Sequence, residues 1–180
     1  MKVDLFSIPV FIGNIDLKKI KYNQEPKYKK AWHSRTLSTH DVEENFYTED
    51  TLGYVAYTII DILTPNIRAS FKIELIGMWE NLYKQKDFQE PHIHIKSNFS
   101  FIIYKKLKDG SNTVFVAPHR YISEYCWGED ESIYKTGFKP LLKEGQIIIF
   151  PSFLEHYVLP SSDSKTIAGN IKFEYVGDRC

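Results

Sequence analysis

The hydrophobic pattern of this chain changes period near residue 65. Before that point Leu52, Val55, Ile59 and Leu63 recur at helical spacing, which predicts one amphipathic helix over residues 51–63. Thr51 is placed to cap its start and Pro65 to stop it, and its apolar stripe is suited to packing on the outside of a sheet. Upstream, residues 3–12 alternate loosely and predict a first strand ending near Gly13-Asn14. Residues 17–50 are polar, Lys-rich and then acidic, and predict loop with short helix. From Ala69 onward the pattern is that of strands. Phe71 to Trp79 alternates and then becomes apolar, and Asn98 to Tyr104 is rich in β-formers. Asp109-Gly110 predicts a hairpin turn before Thr113-Val114-Phe115-Val116. Lys143-Glu144-Gly145 predicts another tight turn, between 138–142 and 146–150. Residues 156–159 and 166–176 supply the last strands, while 118–136 shows no period and predicts a long, lid-like loop. Many short strands with a helix upstream predict a mainly β domain, a sandwich or a barrel.

Composition sharpens this picture without changing it. The 180 residues suit one domain, residues 1–180, with no repeat and no composition break. Twelve Phe, twelve Tyr and three Trp favour broad β surfaces. Basic and acidic residues balance at 23 each, so no global field invites nucleic acid or a membrane surface. The lysines between Lys18 and Lys30 read as a solvated segment. Cys126 and Cys180 form no disulfide framework, which fits a reducing setting. The first residues lack a signal-peptide run and no stretch reaches membrane-span length, so a soluble, cytoplasmic protein is expected.

Candidate chemistry centres on histidine. His92-Ile-His94 places two imidazoles on one strand face, because residues two apart point the same way. Pro91 before them predicts that a strand begins there. His156 follows the apolar run to Phe150 and the Pro151-Ser152 break, which predicts a position just beyond a strand end. Three imidazoles of this kind can close one side of a metal shell and leave the other open, as non-haem iron chemistry needs. An isolated His-x-His pair is more often structural than metal-binding, so the distal His156 is what raises the reading. His33, His40 and His119 have no comparable setting and are assigned no role.

The residues then resemble a family. Trp79-Glu80-Asn81, Phe88-Gln89-Glu90-Pro91-His92-Ile93-His94, Ser100-Phe101-Ile102-Ile103-Tyr104, Gly145 to Ser152, His156, Val158, Pro160 and Ala168-Gly169-Asn170 are similar to small 2-oxoglutarate/Fe(II)-dependent oxygenases of phages and bacteria, over about residues 73–175. The resemblance implies a double-stranded β-helix (a cupin-like jelly roll) with its core at about 69–176. It also implies Fe(II) and 2-oxoglutarate as cofactors, dioxygen as co-substrate, and His92, His94 and His156 as metal ligands. The family's second ligand is usually a carboxylate, so Glu90, on the expected parity of His92, is the alternative to His94, while Glu155 is expected to point away. The family also places an Arg about nine or ten residues past the last histidine to hold the distal carboxylate of 2-oxoglutarate. Lys165 is the cation in that window and takes the role, with Tyr104 as hydroxyl partner; otherwise Lys165 is a solvated residue after the 161–164 turn. Arg120 is held in reserve. Trp79, Asn81 and Tyr83 share a face leading toward the metal, either as core or as substrate contacts.

The activity so implied is that of a non-haem Fe(II)/2-oxoglutarate dioxygenase, a hydroxylase of unspecified substrate, with residues 118–136 as substrate cover. The alternatives are a non-catalytic jelly-roll binding module, and a three-histidine cupin-type dioxygenase that does not use 2-oxoglutarate.

Overall fold

The computed structural model describes residues 7–31, 36–40, 46–110, 112–127, 135–161 and 163–178. Residues 3–6 of the expected first strand, His33, residues 128–134 and Cys180 lie outside them. Along the described chain run β1 (Phe11–Asn14), a single 3-10 turn (Leu17–Lys19), β2 (Lys29–Lys30), β3 (Leu37–Ser38), α1 (Glu49–Leu63), β4 (Ala69–Tyr83), β5 (Asp87–His92), β6 (Phe99–Lys106) and β7 (Thr113–Val116). There follow α2 (Arg120–Trp127), β8 (Gly137–Phe138), β9 (Gln146–Pro151), β10 (His156–Ser161) and β11 (Ser164–Asp178).

The strands form two antiparallel sheets, one ordered β1-β9-β6-β11-β4-β3-β2 and the other β5-β10-β7-β8. This is the two-layer jelly roll. The expected hairpin at Asp109-Gly110 is corrected by it, while the tight turn at Lys143-Glu144-Gly145 is present but joins the two layers. The Asp109-Gly110 turn links β6 to β7, and the Lys143-Gly145 turn links residues after β8 to β9; in each case the two strands lie in different sheets. Gly110 and Gly145 supply the positive φ these turns need, at 83° and 78°. A crossing between layers and a hairpin use the same turn residues, so local sequence does not distinguish them.

Strand parity divides the core in two. Odd residues of the large sheet (Phe101, Ile103, Ile147, Ile149, Ile167, Ile171) face α1, whose Val55, Ile59 and Leu63 are fully buried against them. Burying each of those three helix side chains is worth about 1.5–3 kcal/mol. Even residues (Ile102, Tyr104, Ile148, Phe150, Ala168) face the second sheet. β11 pairs with β4 along its length and lies between β4 and β6 over residues 165–171. Gly169 makes this possible: a Cβ there would stand 2.4 Å from the Phe101 ring and 2.7 Å from the Gly77 carbonyl.

Four local expectations change. α1 begins at Glu49, capped by the Thr48 hydroxyl, which accepts from the Thr51 N–H; Thr51 is a buried first-turn residue whose hydroxyl accepts from Lys21 N–H. Part of the 17–50 segment is strand, since β2 and β3 extend the large sheet beside β4. α2 forms within the expected loop 118–136. Its two turns show no apolar period because Ser123 is its buried position while Tyr121, Ile122 and Tyr125 are exposed. Finally, β5 ends rather than begins at the Pro91-His92 step, whereas His156 lies past the end of β9, as expected, and opens β10. Pro91 is tolerated because β5 is an edge strand.

Candidate metal centre and its pocket

His92 and His156 are brought together by direct pairing of β5 with β10, in which they are Cα partners. Their ring centroids are 4.2 Å apart. His94 lies just beyond β5, where its backbone N–H donates to Ser152 O at 2.9 Å. No ladder fixes its ring. That task falls to two residues of the large sheet: Trp79 on β4 stacks against it at 5.6 Å and 21°, and Asn170 Oδ1 on β11 accepts its Nδ1–H at 2.6 Å.

The hydrogen bonds also decide where each lone pair points. His92 Nδ1 donates to Glu90 O at 2.7 Å and His156 Nδ1 donates to Leu154 O at 3.0 Å. A carbonyl oxygen only accepts, so all three Nδ1 atoms carry the proton and all three Nε2 atoms keep a lone pair. The three donor atoms lie within 4.8 Å of one another. Burial lowers the pKa of all three rings, that of His94 to about 4, and the neighbouring rings add to this for His94 and His156. Neutral imidazoles with convergent lone pairs are what a divalent transition metal requires. The donor set fits iron.

Asn170 is itself held. Its Oδ1 accepts from Ser100 Oγ at 3.0 Å, and Ser100, Ser152 and Ser97 continue the chain of hydroxyls at 2.9 and 2.8 Å. Phe115 and Phe150 pack on His156 with centroids 5.8 and 4.8 Å away, keeping water from that side.

The metal end opens into a narrow cavity between the two sheets. Its floor is three strands wide and arranged in rows. Trp79, Ala168 and Ile102 are register neighbours nearest the histidines; Asn81, Thr166 and Tyr104 form the next row, and Tyr83 and Ser164 pair beyond it. The expectation that Trp79, Asn81 and Tyr83 share the face leading to the metal agrees with this arrangement, and Tyr104 lines the same cavity.

Three other expectations do not survive. Lys165 does not face the pocket. Its neighbours Ser164 and Thr166 do, so parity turns Lys165 to the opposite side of β11, where Nζ pairs with Glu80 Oε1 at 2.5 Å. Lys105 joins it, 2.9 Å from Glu80 Oε2, and the Tyr22 and Tyr28 hydroxyls donate to the same carboxylate. Burial opposes ionisation of Glu80, yet these four donors outweigh it and lower its pKa. Glu90 does not line the pocket either. Between Gln89 and His92 the register with β10 slips, because Val158 pairs with Gln89 while His156 pairs with His92, so Gln89 rather than Glu90 shares the pocket with His92. Arg120 stands on α2, half-buried and paired with Glu124 at 2.6 Å, and does not line the pocket. Glu155 is exposed, as expected.

Residues given no role in the sequence now have one. Asn170 stood in the pattern shared with the oxygenases, but its bond to His94 spans the two sheets and leaves no local signal. Gln89 Nε2 lies 3.4 Å from His92 Nε2, and Gln89 Oε1 accepts from the Tyr83 hydroxyl at 2.8 Å. His40, set aside earlier, packs edge-on against Trp79 at 4.7 Å.

No curated protein matches the chain by sequence. Among solved structures, EvdMO1 is similar at 14% identity and a TM-score of 0.53, over 89% of this chain and 38% of its own. An oxidoreductase of the 2OG-Fe(II) oxygenase family from Burkholderia pseudomallei aligns at 12% identity and a TM-score of 0.48, over 72% of this chain and 61% of its own. HygX from Streptomyces hygroscopicus, solved with nickel, 2-oxoglutarate and hygromycin B, aligns at 12% and 0.48, over 87% and 74%. The chain thus spans less than two thirds of the Burkholderia protein and of EvdMO1. The family model described as "Putative 2OG-Fe(II) oxygenase" matches residues 77–168, which is 92 of the 180. That span runs from the pocket's first row through all three histidines to Ala168, and the chain belongs to the 2OG-Fe(II) oxygenase family.

Proposed function

We propose that this protein is an Fe(II)- and 2-oxo-acid-dependent oxygenase that hydroxylates a C–H bond of a substrate bound at the mouth between the two sheets. The observation that carries the reading is the convergence of three Nε2 lone pairs, each fixed by a carbonyl acceptor behind its ring. In this family iron, 2-oxoglutarate and dioxygen together supply the oxidising chemistry, one oxygen atom going to the substrate and one to the succinate formed with carbon dioxide. The chain's own residues do the rest. His92, His94 and His156 hold the metal; Asn170 and Trp79 orient His94; Phe115 and Phe150 keep water off His156. α2 follows β7, whose Phe115 pairs with His156, and it carries exposed Tyr121, Ile122 and Tyr125. Those side chains supply an apolar surface for substrate on the His156 side, the role first assigned to residues 118–136.

Anaerobic addition of Fe(II) and then 2-oxoglutarate tests the reading. A weak visible charge-transfer band that His156→Ala abolishes is the expected result. Iron binding with no such band for any 2-oxo acid turns the assignment to a three-histidine dioxygenase that dispenses with a keto acid, a reading that a histidine at the usual carboxylate position favours. Absence of iron binding leaves a non-catalytic jelly roll.

A further inference from the structure

Gln89 carries a carboxamide with one end fixed and the other facing the histidines. It comes from β5, is 7% exposed and lines the cavity beside His92. Its Oε1 accepts from the Tyr83 hydroxyl at 2.8 Å, and its Nε2 lies 3.4 Å from His92 Nε2. Both contacts settle which end of the amide is which. A carbonyl oxygen only accepts, so the Tyr83 hydroxyl donates to Oε1, and the Thr166 hydroxyl in turn donates to the Tyr83 oxygen. Burial raises the pKa of Tyr83 and keeps its proton in place. On the other side His92 Nδ1 donates to Glu90 O, so His92 Nε2 carries a lone pair. A turned amide would set its carbonyl oxygen against that lone pair, so the N–H2 end is the one that faces the metal position.

At 3.4 Å the contact with His92 is longer than an ordinary hydrogen bond, so the amide donors are not fully used. Among the described residues Gln89 Nε2 has no other acceptor. A metal held by the three Nε2 atoms takes up the His92 lone pair and removes even that one. The buried N–H2 is then matched only by an atom coordinated next to His92, and an anionic atom accepts more strongly than a neutral one. Among the described residues no Lys or Arg lines the cavity, so no side-chain cation competes for it. We propose that Gln89 is a binding residue of the metal centre: its Nε2–H donates to an anionic oxygen coordinated beside His92, the carboxylate by which a 2-oxo acid reaches the metal. Tyr83 is a positioning residue that acts through Gln89. The inference rests on the 2-oxo-acid reading above and deepens it by naming the residue that grips the coordinated end of the co-substrate.

Formate, a carboxylate with nothing attached to engage the rest of the cavity, isolates the coordinated position. It is titrated into the Co(II)-substituted protein, with neutral imidazole as control, and both are read by the visible Co(II) bands. In parallel, 2-oxoglutarate is titrated anaerobically into the Fe(II)-loaded protein and read by its charge-transfer band. Gln89→Met keeps the side chain's length and removes the amide. It is expected to raise the half-saturating concentrations of formate and 2-oxoglutarate about tenfold, while those of imidazole and of Co(II) itself move less than about threefold. Tyr83→Phe is expected to raise the formate value about threefold in the wild-type background and to add nothing in Gln89→Met, because its hydroxyl acts only through the amide. Formate bound as tightly by Gln89→Met as by the wild type overturns the inference and leaves the oxygenase reading standing. Equal losses for formate and imidazole overturn it as well, since they mark a disturbed pocket and not a lost donor. A Tyr83→Phe effect that persists in Gln89→Met overturns the positioning role. If Gln89→Met does not fold, Tyr83→Phe alone decides, and an unchanged formate value overturns the inference. A wild type that binds formate as expected yet gives no band with 2-oxoglutarate overturns the reading beneath while the amide donor stands.

Discussion

The two faces of β4 and β11 carry opposite solutions to the same problem. On the side toward the N-terminal segment, Glu80 is almost completely buried and every charge is answered: two lysines and two tyrosine hydroxyls converge on one carboxylate. One residue away on either side, Trp79 and Asn81 line the cavity, and neither Trp79 Nε1 nor Asn81 Oδ1 has a hydrogen-bond partner. The first arrangement is closed and ties the segment carrying Tyr22 and Tyr28 to the sheet. The second is open: its side chains line a cavity that leads to the three histidines. Alternation along a strand thus separates holding the fold from holding a ligand with no more than a one-residue step.

Variants that act on one face only should break or sharpen this contrast. The largest effect is expected from His156→Ala, which removes a metal donor; Fe(II) affinity measured calorimetrically should fall by about a thousandfold or more, with turnover lost. On the opposite face Glu80→Ala leaves Lys105 and Lys165 without their shared partner. It should cost about 2–4 kcal/mol in chemical denaturation, below the extreme for a buried pair because both lysines reach solvent, with metal affinity preserved. This contribution depends on pH in a stated sense. The folded-state pKa of Glu80 is lowered, so its stabilisation is complete above the ordinary glutamate value of 4.5 and is lost as pH falls from there through the lower folded value. The stability gap between wild type and Glu80→Gln should therefore close on acidification through that window; a gap that stays constant would show that the carboxylate charge is not what matters.

Asn170→Ala comes next. By freeing the His94 ring it should weaken metal binding about 10- to 100-fold with little change in melting temperature, and Asn170→Asp should restore affinity by supplying an acceptor at the same place. Smallest is Lys165→Ala. The resemblance alone assigns it to 2-oxoglutarate, whereas the ion pair with Glu80 predicts an unchanged co-substrate requirement and a stability loss of about 1 kcal/mol or less. A selective rise in the 2-oxoglutarate requirement would return Lys165 to the pocket.

How much of this was legible in the sequence follows from what each residue's position depends on. His92 and His156 were readable because strand ends and spacing bring them near any jelly-roll mouth. His94 was readable as a member of the histidine cluster but not as a loop residue: the slip between Gln89 and His92 is a property of pairing with β10. The same slip removes Glu90, whose parity is sound only on an unbroken strand. Lys165 failed for a related reason. Its distance from His156 was counted across a turn that passes from one sheet to the other, so the count fixes neither face nor partner. Glu80, the residue that claims Lys165, lies 85 positions upstream and meets it only through the β4–β11 ladder. Short helices escape as well, α2 because an eight-residue segment with one buried serine has no apolar stripe to detect.

Pro91 has a bearing beyond the metal. It sits in β5, the exposed border of the smaller sheet, where a regular strand would offer a row of free N–H groups to any passing chain. Proline withholds one of those groups and the adjacent register slip disrupts the row, so a neighbouring molecule finds no continuous template to extend. The border that must stay accessible for ligands is thereby made a poor seed for aggregation, and replacing Pro91 by threonine should show first as lower colloidal stability in concentrated solution, before any change in iron affinity.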